Sequence, residues 1–533
     1  MNNEFDFVIV GGGTAGCILA NRLTENTGVQ VMMLEAGTQQ HSPLISIPAG
    51  FSKLMTMPKY NWLFHTQKES HLYNREIAVP RGKGLGGSSL INGMIYVRGI
   101  KQDYDSWKEL GVQGWDFEAV QPYFKRIENF PGGGKERGHA GPMHITRVTE
   151  NPPIANAFIK AFQEYGVSFN EDYNAGEQEG VGYYQVLQHE GKRWSVVDGY
   201  IKPILHRKNL KICDNAFVKK VIFNGKRCIG VVYQKEGQEF VVQARKEVIL
   251  SAGTIQSAQL LEVSGVGNPE ILNQLGVSIV HANNNVGENY IDHFATRMNW
   301  RINGFETLNE SSRGAKLLCN IAKYYISKKG ILTFGTGLIH GFVKSTPDQE
   351  VADIQYFVIH ASYANAADRK LDTQPGMTFG VSQLRPESAG FIHSQSPDMT
   401  VPPKISPNML TAEIDQRVLV NGMKIARQIV NTPSFKPHLI EEMSPGIAVD
   451  SDEKWLDFAK RNGQTIYHPI GTCRMGANED MAVVDSELKV MGVTGLRIID
   501  ASVIPKMISG NIQAAVMMVA EKGSDIIRKE YGL

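Results

Sequence analysis

FDFVIVGGGTAGCILANRLTE (residues 5–25) passes from an apolar run to a glycine turn, and then to a segment with apolar residues at helical spacing. FDFVIV reads as a strand and CILANRLTE as a helix. Between them Gly11, Gly13 and Gly16 form G-x-G-x-x-G. Gly11 permits a tight turn, Gly13 lets a pyrophosphate approach the backbone, and Gly16 lets the helix lie close on the sheet. The free N–H groups of the helix N-terminus then face the phosphates. VQVMMLEAG (29–37) follows as a second strand. It ends in Glu35, nineteen residues after Gly16 and placed to accept hydrogen bonds from a ribose diol. Together these pieces define a Rossmann-like dinucleotide unit. An acid at this point disfavours a 2′-phosphate and so NADP, while NAD and FAD both remain open.

The chain of 533 residues suits two or three cores. Its 42% hydrophobic and 20% charged residues are ordinary for a soluble enzyme. A formal net charge of +1 argues against a nucleic-acid binder that works by broad electrostatics. No apolar run approaches the roughly 20 residues that span a bilayer. MNNEFDFVIV enters a strand without a basic leader, so a cytoplasmic protein is expected, with peripheral contact to the inner face of a membrane left open. Cys17, Cys213, Cys228, Cys319 and Cys473 are scattered, which suits a reducing compartment and gives no CxxC metal pair.

RGKGLGGSSLINGMIYVRG (81–99) is a second Gly/Ser-rich stretch, either a flexible loop or a lining for a phosphate or ring system through Gly86, Gly87, Ser88 and Ser89. Residues 209–252 read as a β-meander. Its runs VKKVIF, CIGVVYQ, EFVVQA and EVILSAG are separated by Asn-Gly and Glu-Gly turn signals. A nucleotide unit carrying a meander is, by fold-level analogy, more typical of flavoproteins than of nicotinamide dehydrogenases. DIQYFVIH (353–360) reads as a strand of a second core, TAEIDQRVLVNGMKIARQIV (411–430) as a long helix, and SDEKWLDFAKR (451–461) as a helix capped by Ser451.

HPIGTCRMG (468–476) admits three chemistries: a metal site, a thiol with its base, or a lone general base. His468 and Cys473 supply two metal ligands at most, and no metal is expected. Cys473 has no evident acid–base partner and is read as packing beneath the loop.

In order and spacing these stretches resemble the glucose–methanol–choline (GMC) family of FAD-dependent oxidoreductases, nearly end to end. The resemblance rests on GGGTAG…LEAG, GKGLGGSSLINGMIYVRG, GTIQSAQLLEVSGVG (253–267), VGENYIDH (286–293), HPIGTCRMG, RIIDASVIP (497–505) and GNIQAA (510–515). The nearest subgroup looks like the bacterial choline-dehydrogenase-like and aliphatic-alcohol-dehydrogenase-like members. The resemblance implies an α/β (overall α+β) architecture. A Rossmann-like FAD-binding domain with a β-meander would come from 1–155, 201–295 and 461–533. A substrate domain, an antiparallel sheet flanked by helices, would come from 156–200 and 296–460.

Carried over by position, Gly11, Gly13, Thr14, Ala15 and Gly16 would hold the pyrophosphate of FAD and Glu35 the adenosine ribose. The Val218 backbone would meet the adenine. Ser88, Asn92, Gly93 and Met94 would lie along the ribityl and ring system, with Asp500, Ala501 and Gln513 closing over phosphates and flavin. Members with histidyl-linked flavin carry a histidine where this chain has Ile91, so non-covalent FAD is expected. Ala258 stands where proline is usual, and GNIQAA departs from the usual GNTNAP. His468 would be the general base and Asn511, 43 residues later, would hydrogen-bond the substrate oxygen. His293 matches a family motif and is read as a buried, hydrogen-bonded histidine.

The implied reaction is oxidation of a primary alcohol to an aldehyde by hydride transfer to flavin N5. Reoxidation would be by a quinone-type acceptor or dioxygen, with Ile466 placed to restrict oxygen. The alternative is a hydroxynitrile-lyase-like enzyme that keeps FAD without net redox chemistry. Phe334, Leu338, Tyr356 and Phe357 either roof the substrate pocket or belong to the core. Oligomeric state is not legible.

Overall fold

The computed structural model describes residues 3–39, 42–365 and 370–533. The first strand, β1 (Glu4–Val10), lies parallel to β2 (Val31–Leu34), and between them runs the helix α1 (Thr14–Leu23). From Phe7 and from Val31 onward both strands are apolar and buried, as parallel strands covered on two faces must be. Leu210–Cys213 extends the parallel sheet beyond β2, and Leu496–Ile498 joins it from the far end of the chain.

The meander is built from three strands rather than four. EFVVQA and EVIL, read separately from sequence, form one 13-residue strand, Gln238–Leu250. Its first half pairs antiparallel with Arg227–Lys235, which pairs in turn with Phe217–Asn224. From Gln243 onward it runs parallel to β1. Arg245 and Lys246 interrupt the apolar pattern without ending the strand, because Arg245 stays at the surface and donates to Asp6 of β1. One strand thus joins the meander to the nucleotide-binding sheet.

The second core is an antiparallel sheet in the order Leu439–Ser444, Phe294–Ile302, Gly376–Gln383, Ile354–Ile359, Ile339–Val343, Gly180–Tyr183. Gln464–Thr465 adds to it beside Phe294–Ala295. The helix Glu413–Val430 packs on one face so closely that a side chain at Gly422 would come within 2.8 Å of Val381. That helix and the Ser451-capped helix Asp452–Asn462 form where the sequence predicts them. Tyr356, Val358, Met377, Phe379 and Val381 point to the helices and form the core with them. Strand alternation sends Gln355, Phe357, Ile359, Thr378 and Gly380 the other way, toward the first sheet.

Candidate active site

One large cavity runs between the two sheets. It takes residues from widely separated parts of the chain, from Val10 to Val516. Of the positions singled out in the sequence, Gly11, Gly13, Thr14, Ala15, Glu35, Ser88, Asn92, Gly93, Met94, Val218, Asp500, Ala501, Gln513, His468 and Asn511 all line it. Gly16 does not. It is buried in α1, where a Cβ would lie 1.9 Å from the Gly11 carbonyl oxygen, so its work is helix-to-strand packing. Gly11 needs its positive φ of 102° to pass Ser251. Gly13 differs again: a Cβ there would meet nothing nearer than Ser251 O at 4.0 Å and would enter the cavity. The first turn of α1 carries no acid and no side-chain cap, so its N–H groups are open to an anion.

Glu35 is buried, and burial raises its pKa. Its Oε1 accepts from Gly37 N (2.8 Å) and Gly84 N (3.0 Å), and Oε2 accepts from Gly12 N (2.9 Å). Oε2 therefore keeps a free lone pair. The Asp500 carboxylate accepts from Gly253 N, Ser257 Oγ and Ser502, which pins the C-terminal loop to the start of the helix Gly253–Val263. Gln513 Nε2 donates to Thr14 Oγ1 at 3.0 Å, joining two ends of the chain across the cavity.

The loop 81–99 is ordered rather than slack. Arg193, buried and not singled out in the sequence, donates to Ser89 O, to Asn92 Oδ1 and O, and to Ile45 O. Ile91 is buried among the cavity-lining residues. Met94 carries a positive φ of 64°.

At the other end of the cavity, hydrogen bonding fixes the state of His468. His293 Nε2 lies 2.9 Å from Leu384 O, and a carbonyl only accepts, so Nε2 carries the proton. Burial holds His293 down to about 4, so it is neutral and presents a lone pair at Nδ1. That lone pair receives Nδ1–H of His468 at 3.0 Å. The lone pair of His468 is therefore on Nε2, 3.1 Å from Asn511 Nδ2. Burial first, then the neighbouring His293 and Arg81, holds the His468 pKa well below its ordinary value.

Asn511 is oriented from behind. Tyr184 Oη donates to Tyr356 O, so it must accept from Gln355 Nε2 (3.1 Å). The same Nε2 donates to Asn511 Oδ1 (3.2 Å), which leaves the Asn511 amide N–H groups turned toward His468. The His468 backbone is held as well, its N–H donating to Asp292 Oδ1 at 2.8 Å. Asp292, pushed up to about 6 by burial, also accepts from Thr465 and Tyr290. YIDH thus steadies the histidine through two consecutive residues, of which only His293 was read from sequence.

Cys473 is fully buried, and burial first, then the neighbouring Asp500 carboxylate, raises its thiol pKa. Among the described residues no group of three or more His, Cys, Asp or Glu side chains could hold a metal ion.

The comparisons with known proteins bear on this geometry. The family model described as GMC oxidoreductase matches residues 5–295 with its N-terminal part and 386–520 with its C-terminal part. The chain belongs to the GMC oxidoreductase family. It is 36% identical to an alcohol dehydrogenase [acceptor] of Pseudomonas putida, over 99% of this chain and 96% of that one. It is 38% identical to an oxygen-dependent choline dehydrogenase of Brucella anthropi, over 98% and 95%. Among solved structures it is similar to pyridoxine 4-oxidase from Mesorbium loti (TM-score 0.89, 27% identity, 99% of each chain). It is also similar to a formate oxidase (TM-score 0.93, 27% identity, 100% of this chain and 99% of that one).

As a GMC oxidoreductase it is an enzyme acting on CH–OH donors with FAD as cofactor. The cavity suits that group: a glycine cradle and an open helix N-terminus at one end, and a neutral imidazole at the other. Of the four residues that could have roofed a pocket, only Phe357 lines it. Phe334, Leu338 and Tyr356 belong to the core of the second sheet. The lining that sequence reading missed includes Ala295, Thr336, Ile359, Thr378 and Gly380, together with Gln355 behind Asn511. Neighbouring residues of one strand fall on opposite faces, so their roles separate only once the sheet is known. Among the described residues no helix is long and apolar enough to cross a membrane.

Proposed function

We propose that this enzyme oxidises a primary alcohol to an aldehyde, with His468 as general base and Asn511 as hydrogen-bond donor to the substrate oxygen. The observation that carries the reading is the lone pair on His468 Nε2, fixed by His293 and facing the Asn511 amide. A substrate hydroxyl that displaces the Asn511 amide from Nε2 would give its proton to that lone pair, and the released Nδ2–H of Asn511 would support the forming alkoxide. FAD, when bound, supplies the acceptor for the hydride. Gly11, Gly13, Thr14 and Ala15 would hold its pyrophosphate, and the free lone pair of Glu35 would meet a ribose hydroxyl. The Val218 backbone would meet the adenine. Ser88, Asn92, Gly93 and Met94 would lie along the ring system, with Asp500, Ala501 and Gln513 closing over it. Ile91 offers no nucleophile for a flavin link, which supports non-covalent binding.

Ala295, Phe357, Ile359 and Gly380 give the substrate side an apolar wall relieved by Thr336 and Thr378. That wall supports an uncharged alcohol with an apolar body. Ile466 lines the cavity two residues before the base, and its bulk supports a quinone-type acceptor over dioxygen.

The test is anaerobic mixing with a panel of alcohols. Wild type is expected to bleach its flavin, and His468→Ala to do so about 100-fold more slowly or worse, with FAD retained. Near-normal reduction in the variant would overturn the assignment of the base. A flavin that stays oxidised in wild type with every alcohol would favour the lyase alternative. Turnover with dioxygen against an artificial quinone then separates the acceptors.

A further inference from the structure

The helix Gly314–Ser327 has 14 residues, of which only Tyr324 is buried. Its inner side carries Leu317, Asn320, Ile321 and Tyr324. Its outer side carries Ala315, Leu318, Cys319, Ala322, Tyr325 and Ile326, at the i, i+3, i+4, i+7 spacing of an apolar stripe. An ordinary surface helix turns such a stripe inward. Here it faces solvent: Leu318 is 69% exposed, Tyr325 58% and Ile326 86%.

The flank of the stripe is basic. Lys316 and Lys323 lie two turns apart on one side, and Lys328 and Lys329 follow the C-terminus, with Lys328 Nζ over the Tyr325 ring. Lys316 pairs with exposed Glu306 at 2.8 Å, and Lys323 lies 4.0 Å from half-buried Glu150, at the limit of an ion pair. Such pairs contribute little and exchange readily for another anion.

The segments on either side of the helix lead to the cavity wall. Arg313, just before it, donates to Leu371 O and Asp372 O, beside the hairpin strand that carries the lining residue Tyr363. After it the chain turns through Ile331–Thr333 to Thr336, another lining residue.

We propose that this helix docks on an anionic phospholipid bilayer. Leu318, Tyr325 and Ile326 enter the boundary between headgroups and acyl chains, while Lys316, Lys323, Lys328 and Lys329 meet lipid phosphates. A second copy of the chain is a poorer occupant. One helix face about 21 Å long and about 10 Å wide covers on the order of 200 Å², well short of the roughly 800 Å² per partner that a stable dimer buries, and its lysine flank would face another lysine flank. Docking would hold the cavity wall at the surface where apolar alcohols and lipid-soluble acceptors partition.

The experiment is flotation of the FAD-loaded enzyme with two kinds of vesicle, pure phosphatidylcholine and roughly equal parts phosphatidylcholine and phosphatidylglycerol. Wild type is expected to float with the anionic vesicles and to be partly released by salt. Leu318→Asp and Ile326→Asp are expected to lower the bound fraction about tenfold, with turnover of a soluble alcohol and FAD content unchanged. A Lys316→Gln/Lys323→Gln variant is expected to lose the preference for anionic vesicles. The proposal is overturned if wild type stays with the unbound fraction or if the Asp variants float as well as wild type. It is overturned equally if sedimentation shows a dimer that Ile326→Asp dissociates while vesicles bind neither form.

Discussion

At the scale of single residues, the site is a chain of hydrogen bonds whose directions follow from two carbonyls. Leu384 O fixes the tautomer of His293 and so the lone pair of His468; Tyr356 O fixes Tyr184, Gln355 and so the Asn511 amide. A base whose pKa is lowered stays unprotonated to more acidic pH. The acid limb of kcat/KM for alcohol oxidation is therefore expected below pH 6.5, and a limb at or above 6.5 would contradict a buried, neutral His468. Gln355 is a positioning residue in this account. Gln355→Met removes the donor to Asn511 Oδ1, letting that oxygen turn toward His468, where it would favour the imidazolium. The expected result is about a tenfold slower flavin reduction together with an acid limb moved to higher pH; a slower rate with the limb unmoved would mean loss of packing only. His468 and Asn511 were legible in the sequence because their motifs and spacing are intact. Gln355, Asp292 and Arg193 were not, because each acts through a partner at least 100 residues away.

At the scale of elements, the strand–glycine–helix unit was legible because its logic is local: Gly11, Gly13 and Gly16 each answer to a neighbour within a few residues or to an approaching ligand. The long strand Gln238–Leu250 was not, since Arg245 and Lys246 look like a break until Asp6 is seen beside them. Likewise DIQYFVIH reads as a strand, yet which of Tyr356 and Phe357 meets the cavity depends on the face to which the helix Glu413–Val430 is bound. A further element contact, hidden in sequence, is the clamp at His393. Its Nδ1 lies 2.7 Å from Glu262 on the helix Gly253–Val263 and its Nε2 lies 2.9 Å from Glu288 on the strand Glu288–Tyr290. Burial lowers the imidazole pKa but the two carboxylates outweigh it, raising it to about 9. The folded value stands above the unfolded 6.5, so the stabilisation is complete below pH 6.5 and fades as pH climbs through about 9. Allowing for the exposed side of Glu288, it is on the order of 2 kcal/mol. Thermal midpoints measured from pH 6 to 10 should fall across this window in wild type. His393→Gln should begin lower and lose that slope; a variant with the same slope would show that the clamp is not its source.

At the scale of the whole molecule, the cavity draws the ends of the chain together. Thr14 meets Gln513, and Arg22 of α1 pairs with buried Glu521 of the C-terminal helix Gln513–Tyr531. FAD bound in this cavity would touch the N-terminal glycine turn, the ordered loop 81–99, the meander at Val218 and the C-terminal segment at once. Its binding is therefore coupled to the folding of all four. With Ile91 in the lining where a linking histidine would stand, that coupling is expected to be reversible: acid precipitation should leave the yellow colour in the supernatant. The stripped protein should then melt at a temperature that climbs with added FAD. At about a hundredfold excess over Kd the gain is about 2.7 kcal/mol, which is about 2 °C for a chain of this size. Colour retained in the denatured pellet would mean a covalent link through another residue. A melting temperature indifferent to FAD would mean that the segments assemble without the cofactor, and that the cavity is preformed rather than completed by what it holds.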